Sequence, residues 1–95
     1  MVTREVLASE GSVMVVKVEL ETGFIGDEDR HVEEQVSYIE RGSVEFEVSG
    51  KKKVLRKGDV QYIPSNAPHR VNVVESCTIL DVFTPVRKDL LEGSR

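Results

Sequence analysis

Apolar and polar residues alternate along much of the chain, in short runs separated by turn residues. The clearest run is Val44 to Val48, where a period of two predicts a strand that buries Val44, Phe46 and Val48 and leaves Glu45 and Glu47 in water. The other predicted strands are Val13 to Leu20, Gln35 to Glu40, Val54-Leu55, Val60 to Ile63, His69 to Val74 and Cys77 to Phe83. Turn residues separate them at Arg41-Gly42-Ser43, Ser49-Gly50, Lys57-Gly58-Asp59 and Pro64 to Pro68. Seven or eight short strands at this spacing favour a sandwich or barrel.

Composition supports an all-β fold, because the chain has seventeen valines and only two alanines. Valine packs well on a pleated surface and is stiff in helices. After Pro85, the stretch from Arg87 to Leu91 is compatible with one helical turn. A chain of 95 residues is at most one domain. We expect residues 1–95 to form it, with a core at about 13–87 and a C-terminal tail at 88–95.

Charge and cysteine content bear on partners and location. Thirteen Lys and Arg against seventeen Asp and Glu give a formal net charge of −4, which argues against nucleic acid and anionic membranes as partners. The single cysteine, Cys77, permits no internal disulfide, and no signal-peptide pattern is present, so we expect a cytoplasmic protein. A chain this short buries only about 60 % of its unfolded surface alone, so we also expect a homodimer.

Metal-competent side chains border the predicted strands. Asp29, His31 and Gln35 have the same parity, so an extended backbone would direct all three to one face. His69 opens a later strand whose same-face neighbours are apolar, so it also faces the interior. A carboxylate, two imidazoles and an amide oxygen suit a divalent first-row transition metal. The alternative is that Asp29 lies in a solvated acidic loop and that the histidines are structural.

A second candidate site is the apolar strand that contains Asp81. An unpaired carboxylate there is costly, so Asp81 faces a wet cavity, has a cationic partner, or has a raised pKa suited to proton transfer. Phe83 shares its face, and Arg87 is close enough in sequence to bind a carboxylate or phosphate at the same cavity. The alternative is an Asp81–Arg87 ion pair that serves only the sheet edge.

The order of these residues resembles that of the cupin superfamily, whose members are small double-stranded β-helix or jelly-roll barrels. The first cupin motif is matched by Gly26, Asp29-Arg30-His31, Gln35 and Gly42, and the second by Gly58, Pro64, Asn66 and His69. Two positions depart from the motifs, since Asp29 replaces the first histidine and Val73 replaces the later asparagine. The resemblance implies an all-β cupin barrel with a metal held by His31, Gln35 and His69, and by Asp29 as a carboxylate ligand.

Within the cupins, two segments resemble proteins of pectin and alginate catabolism that linearise 4,5-unsaturated monouronates to 5-keto-4-deoxyuronate. These segments are Glu34 to Ile39 and Leu80 to Asp89. The resemblance implies a small anionic sugar-acid substrate, a divalent metal such as Ni, Zn, Mn or Fe, and a redox-neutral reaction at Asp81, Phe83 and Arg87. One alternative is a non-catalytic cupin that binds a sugar acid or another small ligand. The other is an Fe(II)-dependent cupin oxygenase.

Overall fold

The structure, a computed structural model, describes residues 2–93, with the backbone alone for 92 and 93. Its elements are β1 (Val2–Glu10), β2 (Val13–Leu20), β3 (Glu34–Val48), β4 (Lys51–Arg56), β5 (Val60–Ile63), β6 (His69–Thr84) and α1 (Lys88–Gly93). The all-β prediction is confirmed, and β2 and β5 have the bounds that the alternation predicted. No helix in residues 2–93 is long and apolar enough to cross a membrane.

Two long strands, β3 and β6, organise the antiparallel sheet, whose order is β1-β2-β6-β3-β4 with β5 also on β3. One edge of β3 pairs with β6, and its other edge pairs first with β5 and then with β4. Likewise β6 pairs with β2 along residues 77–83, while bridges at Ile25–Asn72 and Asp29–His69 hold a loop segment to the remainder of that edge. The sheet therefore curls around an interior that both long strands line.

The core follows the period of two most regularly along β2. On β2 the buried residues are Met14, Val16, Val18 and Leu20. Other buried apolar residues are Ile39, Val44, Phe46, Leu55, Ile63, Val73, Cys77, Ile79 and Phe83. Val44 and Phe46 are buried as predicted, whereas Val48, Glu45 and Glu47 are only partly buried. Cys77 is a small buried hydrophobe, and burial raises the pKa of its thiol.

The number of strands is lower than predicted, because β3 and β6 are each continuous where the sequence suggested two strands. Arg41-Gly42-Ser43 has the composition of a turn, but it forms an irregularity inside β3, with register shifts against β6 between Ile39 and Val44. Extra residues of this kind bend a strand without ending it. The structure also has a strand that was not predicted, β1, which pairs with β2.

The predicted helical turn near the C-terminus is present as α1, which begins one residue later than expected. The predicted tail at 88–95 extends beyond it, and its last two residues, Ser94 and Arg95, lie outside the described residues.

Gly42 lies in the irregular part of β3, against the backbone of Ser76 and Cys77 in β6. Its φ is 84°, and a Cβ there would lie 2.6 Å from the Cα of Cys77 and against the carbonyl oxygen of Ser76. Because both obstacles are backbone, Gly42→Ala is expected to lower the free energy of unfolding by about 2–5 kcal/mol, through strain and overpacking together. Urea unfolding would measure this loss.

Gly50 provides the matched control, because its φ is 83° and a Cβ there would meet nothing within 4 Å. Gly50→Ala should therefore cost only the backbone term, about 1–2 kcal/mol. Equal losses in the two variants would mean that close approach to β6 does not explain the glycine at position 42.

Candidate functional site

The loop before β3 is held against the first residue of β6. The amide of Asp29 donates to the carbonyl oxygen of His69 at 2.8 Å, and the amide of His69 donates to that of Asp29 at 3.0 Å. The chain then bends at residues 32–33 before entering β3, which returns His31 to the vicinity of Gln35. The predicted convergence is therefore present, but its reason differs, because residues 27–33 do not form one extended strand.

Four side chains with metal-ligating atoms meet at this point. Ligand atoms of Asp29, His31 and His69 all lie within 4.8 Å of one another. The two imidazole rings are 4.9 Å apart between centroids and inclined at 78°. Gln35 adds its amide oxygen, which lies 3.1 Å from Nε2 of His31. The site thus offers one carboxylate oxygen, two ring nitrogens and one amide oxygen.

Backbone carbonyl groups fix both imidazoles in the same tautomer. Nδ1 of His31 donates to the carbonyl oxygen of Glu33 at 2.9 Å, and Nδ1 of His69 donates to that of Ala67 at 2.9 Å. A carbonyl oxygen can only accept, so the proton lies on Nδ1 and the lone pair on Nε2 in each neutral ring. Burial also lowers the pKa of His69, which favours its neutral form. Ligating histidines are commonly oriented by hydrogen bonds of this kind.

Gln35 is oriented by two acceptors deeper in the barrel. Its amide nitrogen donates to Oγ of Ser37 at 2.9 Å and to Oδ1 of Asp81 at 3.2 Å. Its oxygen therefore faces the Nε2 lone pair of His31, so two hydrogen-bond acceptors lie 3.1 Å apart. A cation that binds both atoms removes this repulsion. The donor set thus fits a divalent first-row transition metal.

Asp81 lies opposite Ser37 in the ladder between β3 and β6. The Ser37 hydroxyl donates to Oδ1 of Asp81 at 2.6 Å. Burial raises the pKa of Asp81, while hydrogen bonds from Ser37 and Gln35 and the charges of Arg4 and Arg87 oppose that rise. The Asp81 carboxyl therefore accepts a hydrogen bond from the side-chain amide of Gln35, whose oxygen is one of the four candidate metal ligands.

Arg87 forms its ion pairs with Asp89 and Asp29, and not with Asp81, the partner considered from the sequence. Its guanidinium contacts Asp89 through two hydrogen bonds, Nη2–Oδ2 at 2.7 Å and Nε–Oδ1 at 3.3 Å, and approaches Oδ2 of Asp29 at 3.7 Å. The same group lies 5.1 Å from the centroid of Phe83, a cation–π distance. The Phe83 ring in turn packs edge-on against His31, with centroids 5.7 Å apart. Arg87 and Phe83 therefore adjoin the metal-type site.

A cavity of about 490 Å³ that is open to solvent lies beside these residues. Gln35, His69, Asp81 and Phe83 form part of its wall, and apolar residues from β2 and β6 form another part. Its charged lining residues are Arg4, Asp27, Glu28, Asp29, Arg70, Asp81 and Arg87. Sequence reasoning missed Arg4, because β1 was not predicted. The signal was present in its even spacing from Val2 and Val6.

The fold and the site together define a class of protein: an antiparallel β-barrel that carries a metal-type donor set of two histidines, a glutamine and an aspartate beside an open cavity. Residues 16–83 match the Cupin domain family, and the chain belongs to this family. The resemblance inferred from the two motifs is thereby confirmed.

Particular cupins are similar along nearly the whole chain. The pectin degradation protein KdgF of Dickeya dadantii (strain 3937) is 30% identical over 92 residues, which cover 95% of this chain and 84% of that protein. The structure of KdgF from Halomonas sp. superposes with a TM-score of 0.90 at 28% identity, covering 94% of this chain and 83% of that chain. An RmlC-like cupin from Shewanella frigidimarina NCIMB 400 gives a TM-score of 0.89 at 30% identity, covering 94% and 80%.

Proposed function

We propose that this cupin converts 4,5-unsaturated monouronates to open-chain 5-keto-4-deoxyuronate in the breakdown of pectin or alginate. Its similarity to KdgF, a protein named for pectin degradation, supports this assignment. The observation that carries it is the hydrogen bond from the Gln35 amide to the Asp81 carboxyl, at 3.2 Å, beside a cavity that Arg87 also lines. The cavity is thus large enough for a ligand and is bordered by a group that can transfer a proton (Asp81), by the candidate metal ligands, and by a cation that can bind an acid (Arg87).

The metal would be held by His31, Gln35, His69 and Asp29. When bound, a divalent first-row transition metal would supply Lewis acidity and a fixed point for sugar hydroxyls or water. Hydrogen bonds to the Glu33 and Ala67 carbonyl oxygens leave the Nε2 lone pairs of His31 and His69 available as ligands. Hydrogen bonds from the Gln35 amide nitrogen to Ser37 and Asp81 leave the Gln35 oxygen facing the same position.

The chain's own residues would then position the sugar acid and move one proton. Arg87 pairs with the uronate carboxylate, and Phe83 forms a wall of the pocket. In the reaction the anomeric hydroxyl loses a proton, and the bond from the anomeric carbon to the ring oxygen breaks to give an aldehyde at C1. The ring oxygen becomes the oxygen of an enolate at C5, which gains a proton at C4. Asp81 carries that proton. The product is an isomer of the substrate, so no oxidant or reductant is needed.

The direct test is an assay of metal-loaded protein with 4-deoxy-unsaturated galacturonate and, separately, mannuronate. Loss of the conjugated absorbance is expected to be faster than the spontaneous ring opening in buffer, and slower again after treatment with a chelator. No acceleration with any metal would contradict the proposed reaction and favour a ligand-binding cupin. Oxygen consumption that depends on Fe(II) would instead favour an oxygenase.

We also propose a cytoplasmic homodimer that binds neither nucleic acid nor membrane. The net charge of −4 disfavours polyanionic partners. β1 lies at the end of the strand order, and pairing with a second copy would satisfy its outer edge. Light scattering coupled to gel filtration should give the mass of two chains, and the mass of one chain would refute the dimer.

A further inference from the structure

We propose that Arg4 is a specificity-determining residue, which binds the negative charge of the substrate in the cavity and so selects sugar acids over neutral sugars. The inference rests on the proposed function and adds a residue to it that lies outside the motifs of the sequence analysis.

The strand register places Arg4 on the inner face of the sheet. Arg4 lies opposite Val18 of β2, and Val18 lies opposite Ile79 of β6. Val2 and Val6, two positions before and after Arg4, pack against the core. Because alternate residues of a strand share a face, Arg4 lies on the inner face of the sheet, where its exposed side chain forms part of the cavity wall.

Arg4 and Arg87 lie on opposite sides of Asp81 along β6. The inward residues of this strand run from Ile79 through Asp81 to Phe83. Through Val18 of β2, Arg4 is in register with Ile79 of β6. The guanidinium of Arg87, by contrast, lies over Phe83. Both positive charges lower the pKa of the Asp81 carboxyl, against the rise that burial causes. An anion bound beside Asp81 would therefore be attracted by both arginines.

Among the cations of the cavity wall, Arg4 is the one without a carboxylate partner. Arg87 is paired with Asp89 at 2.7 Å, and Arg70 is paired with Glu47 at 3.3 Å. Within residues 2–93, by contrast, Arg4 forms no hydrogen bond and no ion pair. Its five donor hydrogens are available to a ligand.

The positive charge of Arg4 matters because the cavity wall is also acidic. Asp27, Glu28 and Asp29 line it, and they disfavour an anionic ligand. Arg87 is already partly neutralised by its own partners. Arg4, which has no ion pair at contact distance within residues 2–93, therefore supplies a positive charge that can form a charge-assisted hydrogen bond with an acid.

The test compares Arg4→Gln with Lys17→Gln. Lys17 lies on β2 opposite Glu5 and Leu80, so its parity places it on the outer face, and its substitution removes the same charge. We expect Arg4→Gln to raise KM for unsaturated galacturonate about 10–100-fold, the loss of one charged hydrogen bond, with kcat changed less than about 3-fold. Arg4→Lys should recover part of the loss, and Lys17→Gln should behave as wild type.

A binding experiment separates failure of this inference from failure of the proposed function. Calorimetric titration uses galacturonate, an acid that cannot undergo the reaction, and neutral galactose. Wild type should prefer galacturonate and Arg4→Gln should lose the preference, whether or not the protein is active on unsaturated uronates. The proposal is overturned if wild type shows no preference for the acid, if Arg4→Gln keeps the preference, or if its KM matches that of Lys17→Gln. Thermal melting of each variant verifies that it is folded.

Discussion

Replacing Asp81 by asparagine is expected to lower kcat for unsaturated monouronates by about 10²–10⁴-fold, the usual contribution of one acid–base group. The amide cannot donate or accept the transferred proton, but its oxygen still accepts hydrogen bonds from Ser37 and Gln35. The Gln35 oxygen therefore keeps its orientation, and metal content should be unchanged. The measurement is the initial rate of absorbance loss, at equal metal loading. An unchanged rate would show that Asp81 is not the proton carrier.

The same substitution should not weaken the fold. Burial raises the pKa of Asp81 above the value of 3.8 that an ordinary carboxyl has, so the folded state disfavours the ionised form. The folded chain then binds more protons than the unfolded chain between these two pKa values, and the penalty is complete above the folded pKa. We expect Asp81→Asn to be at least as stable as wild type at pH 7, with the difference shrinking as the pH falls toward the ordinary carboxyl pKa.

Glu19→Gln is a suitable control, because position 19 is an exposed acid on β2 with no part in the site. Urea unfolding at several pH values should show a pH-dependent gap for Asp81→Asn only. A lower stability of Asp81→Asn at pH 7 would mean that the hydrogen bonds outweigh the desolvation of the carboxylate. Loss of activity together with retained stability would support a role for Asp81 in the reaction itself.

The sequence predicted most of the site, because strand alternation alone determines which side chains share a face. Gln35 and Asp81 lie in regular strands, and a single polar residue on an apolar inward face is visible as an interruption of the pattern. His69 was predicted inward from its apolar neighbours, and it is buried. Local pattern is sufficient for positions of this kind.

Arg4 and β1 were missed for a related reason. The apolar residues that face inward on β1, Val2 and Val6, are four positions apart, because the inward position between them is charged. That position faces the cavity, and its charge interrupts the apolar alternation by which a strand is usually recognised. Departures of this type concentrate at functional sites.

Two other differences depend on contacts that are distant in sequence. Gly42 sits in a run with the composition of a turn, but the neighbouring β6 holds it within a continuous strand. Asp29 reaches the metal-type site through backbone hydrogen bonds to His69, forty residues later in the sequence. Neither contact can be inferred from residues within a few positions of the glycine or the aspartate.

Replacing His69 by alanine is expected to abolish the stabilisation that a divalent metal gives. A ligand present at 100 times its dissociation constant stabilises the folded state by about 2.7 kcal/mol. For a domain of this size, that corresponds to a rise in Tm of about 10–20 °C. His69→Ala removes the Nε2 lone pair, so its affinity should fall by more than the roughly 10–100-fold that loss of an outer-shell partner costs. Thermal melts with Ni²⁺, Zn²⁺, Mn²⁺ and Fe²⁺, and elemental analysis, would measure the effect.

Asp29 and Asp27 allow the same experiment to test the carboxylate ligand. The side chain of Asp29 is 53% exposed and lies 3.7 Å from Arg87, so water and that cation compete with a metal for its carboxylate. Asp29→Asn should therefore reduce the metal-dependent rise in Tm less than His69→Ala does. Asp27→Asn, which removes the same charge at the same cavity, should leave it unchanged. Equal effects of both aspartate variants would mean that Asp29 acts through its negative charge and not as a metal ligand. If wild type gains no stability from any metal, the metal site itself is refuted.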